Sequence, residues 1–276
     1  MNVRYLAPAK LNLFLHITGR RSDGYHDLET VFQLVDLCDE LDIEVRDDGR
    51  IMREPPPSDA QLAALPDADD LTVRAARLLQ QAGDVRSGAS IHVSKRIPAG
   101  GGLGGGSSDA AAVLLALNSL WKLHWSRERL AALALQLGAD VPVFVQGRNA
   151  FARGRGEQLT PVDLPPRWFV IADPGVPVST REIFSAPELT RNTPPLTIAS
   201  TPPDGGHNDC EPVVRARNPA VARVLDLLAP HGGRLTGTGG CVFASRDSRQ
   251  AAEDLAQQLS SQVRVFVARG LRQSPL

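Results

Sequence analysis

A run of glycines followed by two hydroxyl side chains occupies residues 98–111, which read PAGGGLGGGSSDAA. The run lies between a predicted short strand, residues 90–94, and an apolar stretch with helical character. Glycines let a backbone turn its N–H groups toward a ligand, and the N-terminus of the following helix adds partial positive charge. The arrangement predicts an anion-binding loop, in which Ser107 and Ser108 can cap the helix, bind phosphate oxygens or reach a phosphate-bound Mg²⁺. A flexible linker is the structural alternative, but linkers rarely join a strand to so apolar a helix.

Two widespread phosphate-binding patterns do not account for this loop. A Walker A loop ends in Gly-Lys-Ser/Thr, whereas this one ends in Gly-Ser-Ser. The dinucleotide pattern GxGxxG matches at Gly100, Gly102 and Gly105, but a run of glycines satisfies almost any glycine pattern. No acidic residue follows at a strand end about 20 residues on, as that pattern requires. The loop therefore indicates phosphate binding without the usual lysine.

Lysine is rare in this chain, since only Lys10, Lys95 and Lys122 among its 30 basic residues are lysines. Because arginine is the usual basic residue in this chain, each lysine is a candidate for a role that arginine cannot fill. Lysine differs from arginine in being a compact point charge rather than a wide planar group. Residues 8–17, PAKLNLFLHI, alternate well enough to predict a strand with Lys10 and Asn12 on one face. An exposed strand face is the structural alternative for this pair.

Asp140 lies two residues after a predicted helix stop at Gly138, in the stretch GADVPVF. Phosphoryl transfer to an alcohol needs a group that accepts the hydroxyl proton and a cation that offsets negative charge in the transition state. Asp140 and Lys10 are the side chains that suit these two roles. The structural alternative for Asp140 is a helix N-cap.

The pattern of the remaining chain predicts an α+β protein of two domains, residues 1–155 and residues 156–276. In the first, strands are predicted within 28–45, a loop over 18–27, and helices capped by Asp70 and Ser126 that stop near Gly83 and Gly138. In the second, the predicted elements are a strand at 167–175, an irregular segment at 187–206, a helix from Pro219 to Leu228, a strand CVFAS, a helix from about 250 to 259 and a last strand VRVFVA.

Bulk composition excludes several classes of function. The formal net charge is −1, so no global field favours nucleic acid or an anionic membrane. No apolar run approaches the roughly 18 residues that span a bilayer. Three distant cysteines argue against a disulfide framework and fit a reducing, cytoplasmic location. The histidines show no metal-ligand spacing, so no resident metal site is predicted.

Three motifs in order resemble the GHMP kinases, the family of galactose, homoserine, mevalonate and phosphomevalonate kinases. They are PAKLNL (8–13), the phosphate loop carried by Pro98, Gly102, Leu103, Gly104, Ser107 and Ser108, and LTGTGGCVFA (235–244). The resemblance implies an ATP-dependent kinase that uses Mg²⁺, with an N-terminal ribosomal-protein-S5-like α/β domain and a C-terminal ferredoxin-like α/β sandwich. It implies that Lys10 and Asp140 are catalytic. The nucleotide contacts that it implies are Lys95, Pro98, Ala99, Gly100, Gly101, Gly102, Leu103, Gly104, Gly105, Gly106, Ser107, Ser108 and Leu71.

Further stretches resemble the branch of the family that acts on a cytidine diphosphate-linked polyol of the non-mevalonate isoprenoid route. They are residues 8–33, which contain GYH, residues 137–144, LGADVPVF, and residues 208–211, NDCE. The resemblance implies small-molecule partners only, with substrate contacts from Asn12, Tyr25, His26, Thr180, Phe184 and Gly239. Tyr25 suits stacking on the cytosine ring and His26 suits hydrogen bonding to its polar edge. Turn chemistry in Asp-Gly-Tyr-His is the structural alternative.

One departure and three rival interpretations accompany the resemblance. The family usually has Asn-Leu where this chain has Asp70-Leu71, so a side-chain amide contact to adenine is not expected, although Leu71 can still pack on the ring. The rivals are a mevalonate- or homoserine-type kinase, a nicotinamide-dependent oxidoreductase and a non-catalytic sensor on the same fold. GYH argues against the first, because those substrates carry no base, and the presence of Lys10 and Asp140 argues against the last.

Overall fold

The computed structural model describes residues 4–54, 66–196 and 206–276. The elements before residue 165 are β1 (Arg4–Arg20), β2 (His26–Arg46), β3 (Ile51–Glu54), α1 (Leu71–Ala82), β4 (Gly88–Ser94), α2 (Gly105–Leu120), α3 (Arg127–Ala134), α4 (Val141–Gln146), β5 (Ala150–Arg153) and β6 (Gln158–Pro161). The later elements are β7 (Trp168–Asp173), α5 (Thr180–Ser185), α6 (Glu211–Arg217), α7 (Pro219–Leu228), β8 (Arg234–Leu235), β9 (Val242–Arg246), α8 (Arg249–Leu259) and β10 (Arg264–Arg269). No helix in the described ranges is both long and apolar enough to cross a membrane.

The first sheet is organised by the long strand β2. Its strands run in the order β3-β4-β2-β5-β6, and β1 pairs antiparallel with the other edge of β2. The sequence predicted a turn or loop over 18–27 and further strands over 28–45. The turn forms but covers only residues 21–25, because β1 continues to Arg20, and one strand, β2, runs unbroken from His26 to Arg46. Most of β2 is buried, so its apolar residues form near-continuous runs that hide the strand period.

In the first half of the chain, the predicted N-caps of the helices are confirmed, whereas one predicted helix end is not. The Asp70 Oδ1 accepts the Thr72 N–H at 2.8 Å, so Asp70 caps α1 as predicted, and α1 ends before Gly83. Ser126 caps α3, again as predicted. However, α3 ends at Ala134 rather than near Gly138, because the chain continues in tight turns with i,i+3 hydrogen bonds.

The second sheet, in the order β10-β7-β9-β8, is antiparallel throughout and packs on both faces. Val170 and Ala172 of β7 share a core with helices α7 and α8. Phe169, on the opposite face, shares a core with Leu11 of β1 and Leu103 of the glycine run. The alternation of β7 therefore seats the glycine run between the two sheets.

The predicted elements of the second half are confirmed where they are described. The strand after 167, the helix Pro219–Leu228 and the last helix and strand all form. The irregular segment has no regular element from residue 187 to residue 196, and residues 197–205 lie outside the described part. The boundary at 155 stays a prediction; β6 pairs with β5, so the first sheet reaches Pro161.

Candidate active site

A cavity of about 1040 Å³ lies where the glycine run meets β1 and the start of β2. Pockets for small-molecule ligands span about 300–1,000 Å³, so this cavity lies at the upper end of that range. The predicted site residues on its wall are Lys10, Asn12, Tyr25, His26, Leu71, Lys95, Pro98, Ala99, residues 100–107, Asp140, Thr180 and Phe184. Ser108 and Gly239 are the predicted contacts that are not on this wall.

The glycine run turns by alternating left-handed residues and ends at a helix that no side chain caps. Gly100, Gly102 and Gly104 have φ angles of 67°, 77° and 73°, a region that glycine enters without strain. Gly104 is the N-cap of α2, and neither Ser107 nor Ser108 caps the helix, which corrects that expectation. Ser107 faces the cavity, whereas Ser108 is buried and its Oγ has no hydrogen-bond partner.

The C-terminal glycine motif packs directly against the first glycine run. The Cys241 N–H donates to the Gly101 carbonyl at 3.1 Å. A Cβ on Gly102 would lie 2.1 Å from the Thr236 carbonyl oxygen, and a Cβ on Gly239 would lie 1.9 Å from the Gly102 nitrogen. Both glycines are therefore required by close backbone approach, and Gly239 supports the glycine run.

Asn208 supports the second glycine motif, and the sequence reasoning gave it no role. Its Nδ2 donates to the carbonyls of Leu235 at 3.0 Å and Gly237 at 2.7 Å, while its Oδ1 accepts the Cys210 N–H at 2.9 Å. The stretch NDCE, which carried part of the family resemblance, was the available signal. All three hydrogen bonds serve backbone positions, so Asn208 shapes the loop that holds Gly102.

Lys10 and Asp140 form an ion pair, with 3.4 Å between the Lys10 Nζ and the Asp140 Oδ2. The Lys10 side chain is 4% exposed and that of Asp140 is 36% exposed, so the carboxylate is the partner open to the cavity. The Lys10 Nζ also donates to the Asn12 Oδ1 at 2.5 Å, and the Asn12 Nδ2 donates to the Thr30 Oγ1 at 2.9 Å. Asn12 thereby holds the ammonium in place.

Two features explain how these groups reach the cavity. Asp140 occupies the N-cap position of α4, but its side chain makes no capping hydrogen bond, so the carboxylate stays available. The Lys10 N–H donates to the Leu103 carbonyl at 3.0 Å, and the Lys10 Cε packs against Gly104. The ammonium is thus held beside the glycine run.

Lys95 is held between two carboxylates at the start of the glycine run. Its Nζ donates to the Asp109 Oδ2 at 2.6 Å and also to the Asp39 Oδ2. Burial acts to lower the pKa of Lys95, but the two carboxylates outweigh it, and the pKa is raised. Burial raises the pKa of Asp109 against the opposing pull of the ammonium. Lys95 therefore carries its charge and is already paired with two carboxylates.

The predicted base contacts gather at another part of the same wall. The rings of His26 and Phe184 stack with their centroids 5.2 Å apart and their planes 22° apart. Tyr25 is 55% exposed, and the Arg155 guanidinium lies over its ring at 4.8 Å. The Thr180 Oγ1 shares a hydrogen bond of 2.7 Å with the Thr238 hydroxyl. An exposed tyrosine near a stacked pair is a suitable surface for a flat base.

The Asp70 side chain makes structural contacts with both of its carboxylate oxygens. Besides its capping bonds, it forms a buried ion pair with Arg53, with 3.0 Å between the Asp70 Oδ2 and the Arg53 Nη1. Asp70 and Leu71 both reach the cavity wall, and a Cβ on Gly106 would lie 3.6 Å from a Leu71 methyl group. Leu71 is therefore placed to cover a ligand that lies on the glycine run.

Comparisons with known proteins show the family to which the chain belongs. The GHMP kinases N terminal domain model matches residues 70–148, and the GHMP kinases C terminal model matches residues 203–265. The chain is 55% identical to the 4-diphosphocytidyl-2-C-methyl-D-erythritol kinase of Thiobacillus denitrificans, over 100% of this chain and 98% of that protein. It is 51% identical to the kinase of the same name from Pseudomonas paraeruginosa, over 98% of this chain and 94% of the relative.

Solved structures match the fold over nearly the whole chain. A crystal structure of 4-(cytidine 5'-diphospho)-2C-methyl-D-erythritol kinase is 34% identical with a TM-score of 0.81, covering 98% of this chain and 100% of that one. Mevalonate kinase from Methanococcus jannaschii has a TM-score of 0.68 at 14% identity, covering 98% of this chain and 99% of that one, which supports the fold alone. The predicted two-domain GHMP architecture is confirmed.

Proposed function

The chain belongs to the 4-diphosphocytidyl-2-C-methyl-D-erythritol kinases of the GHMP family, and we propose that its site transfers the γ-phosphoryl group of ATP to the 2-hydroxyl of that substrate. The observation that carries the proposal is the Lys10–Asp140 ion pair, which lines one cavity together with the glycine run and the stacked pair of His26 and Phe184. A phosphate loop and a base surface on one wall suit a reaction between two nucleotides.

The chemical step forms one bond and breaks one. The 2-hydroxyl oxygen attacks the γ-phosphorus, the bond to the β,γ-bridging oxygen of ATP breaks, and ADP leaves. Asp140 accepts the hydroxyl proton, since its carboxylate is open to the cavity and makes no capping hydrogen bond. Whether the proton moves early or late, a carboxylate at this place orients the hydroxyl for attack in line with the leaving group.

Lys10 supplies positive charge at the place where negative charge accumulates. Its ammonium is buried, is held by Asn12 and lies against the glycine run, so little reorganisation is needed when the phosphoryl group moves. The ion pair with Asp140 keeps the carboxylate beside the cation in the resting site. Lys10 thus takes the place of the missing lysine of a Walker A loop.

The nucleotide phosphates are proposed to lie on residues 98–107, at the uncapped start of α2. Mg²⁺ fits the donors present, because the Asp109 Oδ1 and the Ser108 Oγ are buried without hydrogen-bond partners and Ser107 faces the cavity. No cluster of three acidic, histidine or cysteine side chains occurs in the described ranges, which suits an ion carried mainly by phosphate oxygens. When bound there, the ion would neutralise charge on the phosphates.

The cytidine end is proposed to lie between Tyr25 and Phe184, with His26 at the polar edge of the base. The exposure of Tyr25 and the stacking of His26 on Phe184 support this placement. Neither mevalonate nor homoserine has a group that would use this surface. Asn12 as a direct substrate contact stays a prediction, since its side chain is already bonded to Lys10 and Thr30.

A direct assay tests the proposal. Purified protein with ATP, Mg²⁺ and 4-diphosphocytidyl-2-C-methyl-D-erythritol is expected to release ADP and a phosphorylated product in equal amounts. Mevalonate and homoserine serve as alternative acceptors in parallel. Turnover of either one, with none of the diphosphocytidyl substrate, would overturn the assignment, and binding of NAD in preference to ATP would favour an oxidoreductase.

A further inference from the structure

Arg191 joins the His26 ring to the end of helix α5. Its Nε–H donates to the His26 Nε2 at 3.0 Å. Its Nη2 donates to the carbonyls of Phe184 at 3.1 Å and Ala186 at 2.6 Å, and its Nη1 donates to the Leu189 carbonyl at 2.9 Å. One guanidinium therefore fixes both members of the stacked ring pair, one through its side chain and the other through its backbone.

The contact to His26 determines which ring nitrogen carries the proton. A guanidinium has donors and no acceptor and does not lose its proton in proteins, so the nitrogen that it faces must offer a lone pair. The Nε2 of His26 is consequently unprotonated, and the neutral ring carries its proton on Nδ1. Because Nε2 is turned to Arg191 and the ring lines the cavity, Nδ1 is the nitrogen left to meet a ligand.

The surroundings of His26 also keep the ring neutral. Its side chain is mostly buried, and burial lowers the pKa of His26, with further lowering by the charges of Arg191 and of Arg20 at the end of β1. A second proton on Nε2 would point at the guanidinium of Arg191. The ring is therefore a neutral donor of fixed orientation at physiological pH.

We propose that Arg191 is a positioning residue for base recognition: by holding His26 as the Nδ1–H tautomer, it makes the site select a base with an acceptor at that edge. The inference rests on the proposed function, in which His26 meets the base. Cytosine has acceptors at N3 and O2, whereas uracil carries a hydrogen on N3. An Nδ1–H donor therefore matches N3 of cytosine and opposes N3–H of uracil, and such an unpaired polar contact is costly to bury.

The first measurement compares the diphosphocytidyl substrate with its uridine analogue in wild type and R191M. Wild type is expected to prefer cytidine in kcat/KM. R191M is expected to raise KM for the cytidine substrate about tenfold, with kcat nearly unchanged. The preference for the cytidine substrate over its uridine analogue should become smaller, because the His26 Nδ1 can then accept a hydrogen bond as well as donate one. An unchanged preference, with both KM values raised equally, would show a merely structural role and overturn the proposal.

The second measurement is the pH dependence of KM. In R191M the Nε2–H tautomer forms at high pH, and the ring gains a second proton as the pH falls from about 8 to about 6, past the ordinary pKa of histidine. The doubly protonated ring again has an Nδ1–H. As the pH is lowered, KM for the cytidine substrate should therefore decrease in R191M relative to wild type. Arg20 remains near the ring in both proteins. Parallel pH profiles would contradict the tautomer role.

Controls separate this inference from folding and from the proposed function. R246M removes an arginine that also binds backbone carbonyls, those of His231 and Ser245, and it should leave preference and pH profile unchanged. R191K keeps a cationic donor for Nε2 and is expected to keep the wild-type preference; a loss equal to that of R191M would overturn the proposal. Failure of wild type to phosphorylate the diphosphocytidyl substrate would count against the proposed function instead.

Discussion

The Lys10 ammonium lies 3.4 Å from the Asp140 carboxylate, and the two residues come from β1 and from the start of α4. The contacts that hold the fold together do not explain why these two charged groups lie side by side. Asp140 sits at an N-cap position without capping, and Lys10 is buried at the edge of a cavity rather than among apolar side chains alone. A charged pair placed like this is more useful for chemistry than for stability, because burying ions is costly.

Asp140→Asn is expected to lower kcat by roughly two or more orders of magnitude, as for loss of a general base, and to leave ATP binding nearly intact. The amide is similar in size but accepts no proton. Steady-state kinetics and ATP titration check the two effects. Asp226→Asn, at an exposed ion pair with Arg215, is the matched control. Unchanged turnover in Asp140→Asn would remove this residue from the mechanism.

Asn12→Ala separates two roles for that residue. If Asn12 orients Lys10, kcat falls about tenfold while KM for the diphosphocytidyl substrate changes little, because an interaction used in the transition state is lost. Thr30→Val removes the hydrogen-bond partner of the Asn12 Nδ2 and should act more weakly in the same direction. A rise in KM with kcat preserved would instead favour Asn12 as a substrate contact.

Tyr25→Ala is expected mainly to raise KM for the cytidine substrate, because stacking on an aromatic ring contributes about 1–3 kcal/mol per base. Tyr25→Phe keeps the ring and should behave like wild type. Initial rates at varied concentrations of each substrate provide the test. An effect confined to KM for ATP would reverse the placement of the two nucleotides in the cavity.

Gly102→Ala and Gly106→Ala are expected to differ sharply in thermal stability. At Gly102 the φ angle is 77° and an added Cβ would meet the Thr236 carbonyl at 2.1 Å, so a loss of about 2 kcal/mol or more is expected. At Gly106, inside α2, the nearest atom lies at 3.6 Å and alanine favours the helix by about 1 kcal/mol. Calorimetry should find a lower Tm for the first variant only; equal melting curves would refute the close approach of the two glycine motifs.

Lys95→Met is expected to destabilise the fold as well as to weaken ATP binding. Removing the ammonium leaves Asp39 and Asp109 facing each other without a cation, and breaking a buried pair costs about 3–5 kcal/mol. Denaturant unfolding measures the loss. The triple variant with Asp39→Asn and Asp109→Asn should recover part of the stability, and a Lys95→Met protein as stable as wild type would mean that the carboxylates are not forced together.

The sequence predicted which residues share the cavity better than it predicted the bounds of the strands around it. Four of these residues could be recognised from their type and their sequence neighbours, and they all line the cavity: Lys10, Tyr25, His26 and Asp140. Gly239 and Ser108 were also predicted as ligand contacts; neither lies on the cavity wall, and both contacts stay predictions. A glycine motif shows that a backbone approaches something closely; it does not show whether that neighbour is a ligand or another loop.

Arg191 and Asn208 escaped prediction for a physical reason. Arg191 binds the side chain of His26, which lies 165 residues away along the chain, and Asn208 binds the backbone carbonyls of Leu235 and Gly237. Such distant partners leave no trace in residue type or spacing. The long strand β2 was divided for a related reason, since pairing on both edges and burial suppress the alternation that marks a strand. Long-range pairing decides these features, and a single sequence does not display it.

The continuity of the cavity wall from the glycine run to His26 has a consequence for inhibitor design. Under the proposed placement of the two nucleotides, a compound that joins an adenine nucleotide to a cytidine through a spacer would meet both surfaces in one cavity. Linking makes the second contact intramolecular, so affinity rises without any new protein contact if the spacer length matches the distance between the two surfaces. Kinases of this fold that lack the stacked His26 and Phe184 rings would hold only one half of such a molecule, and selectivity would follow from that difference.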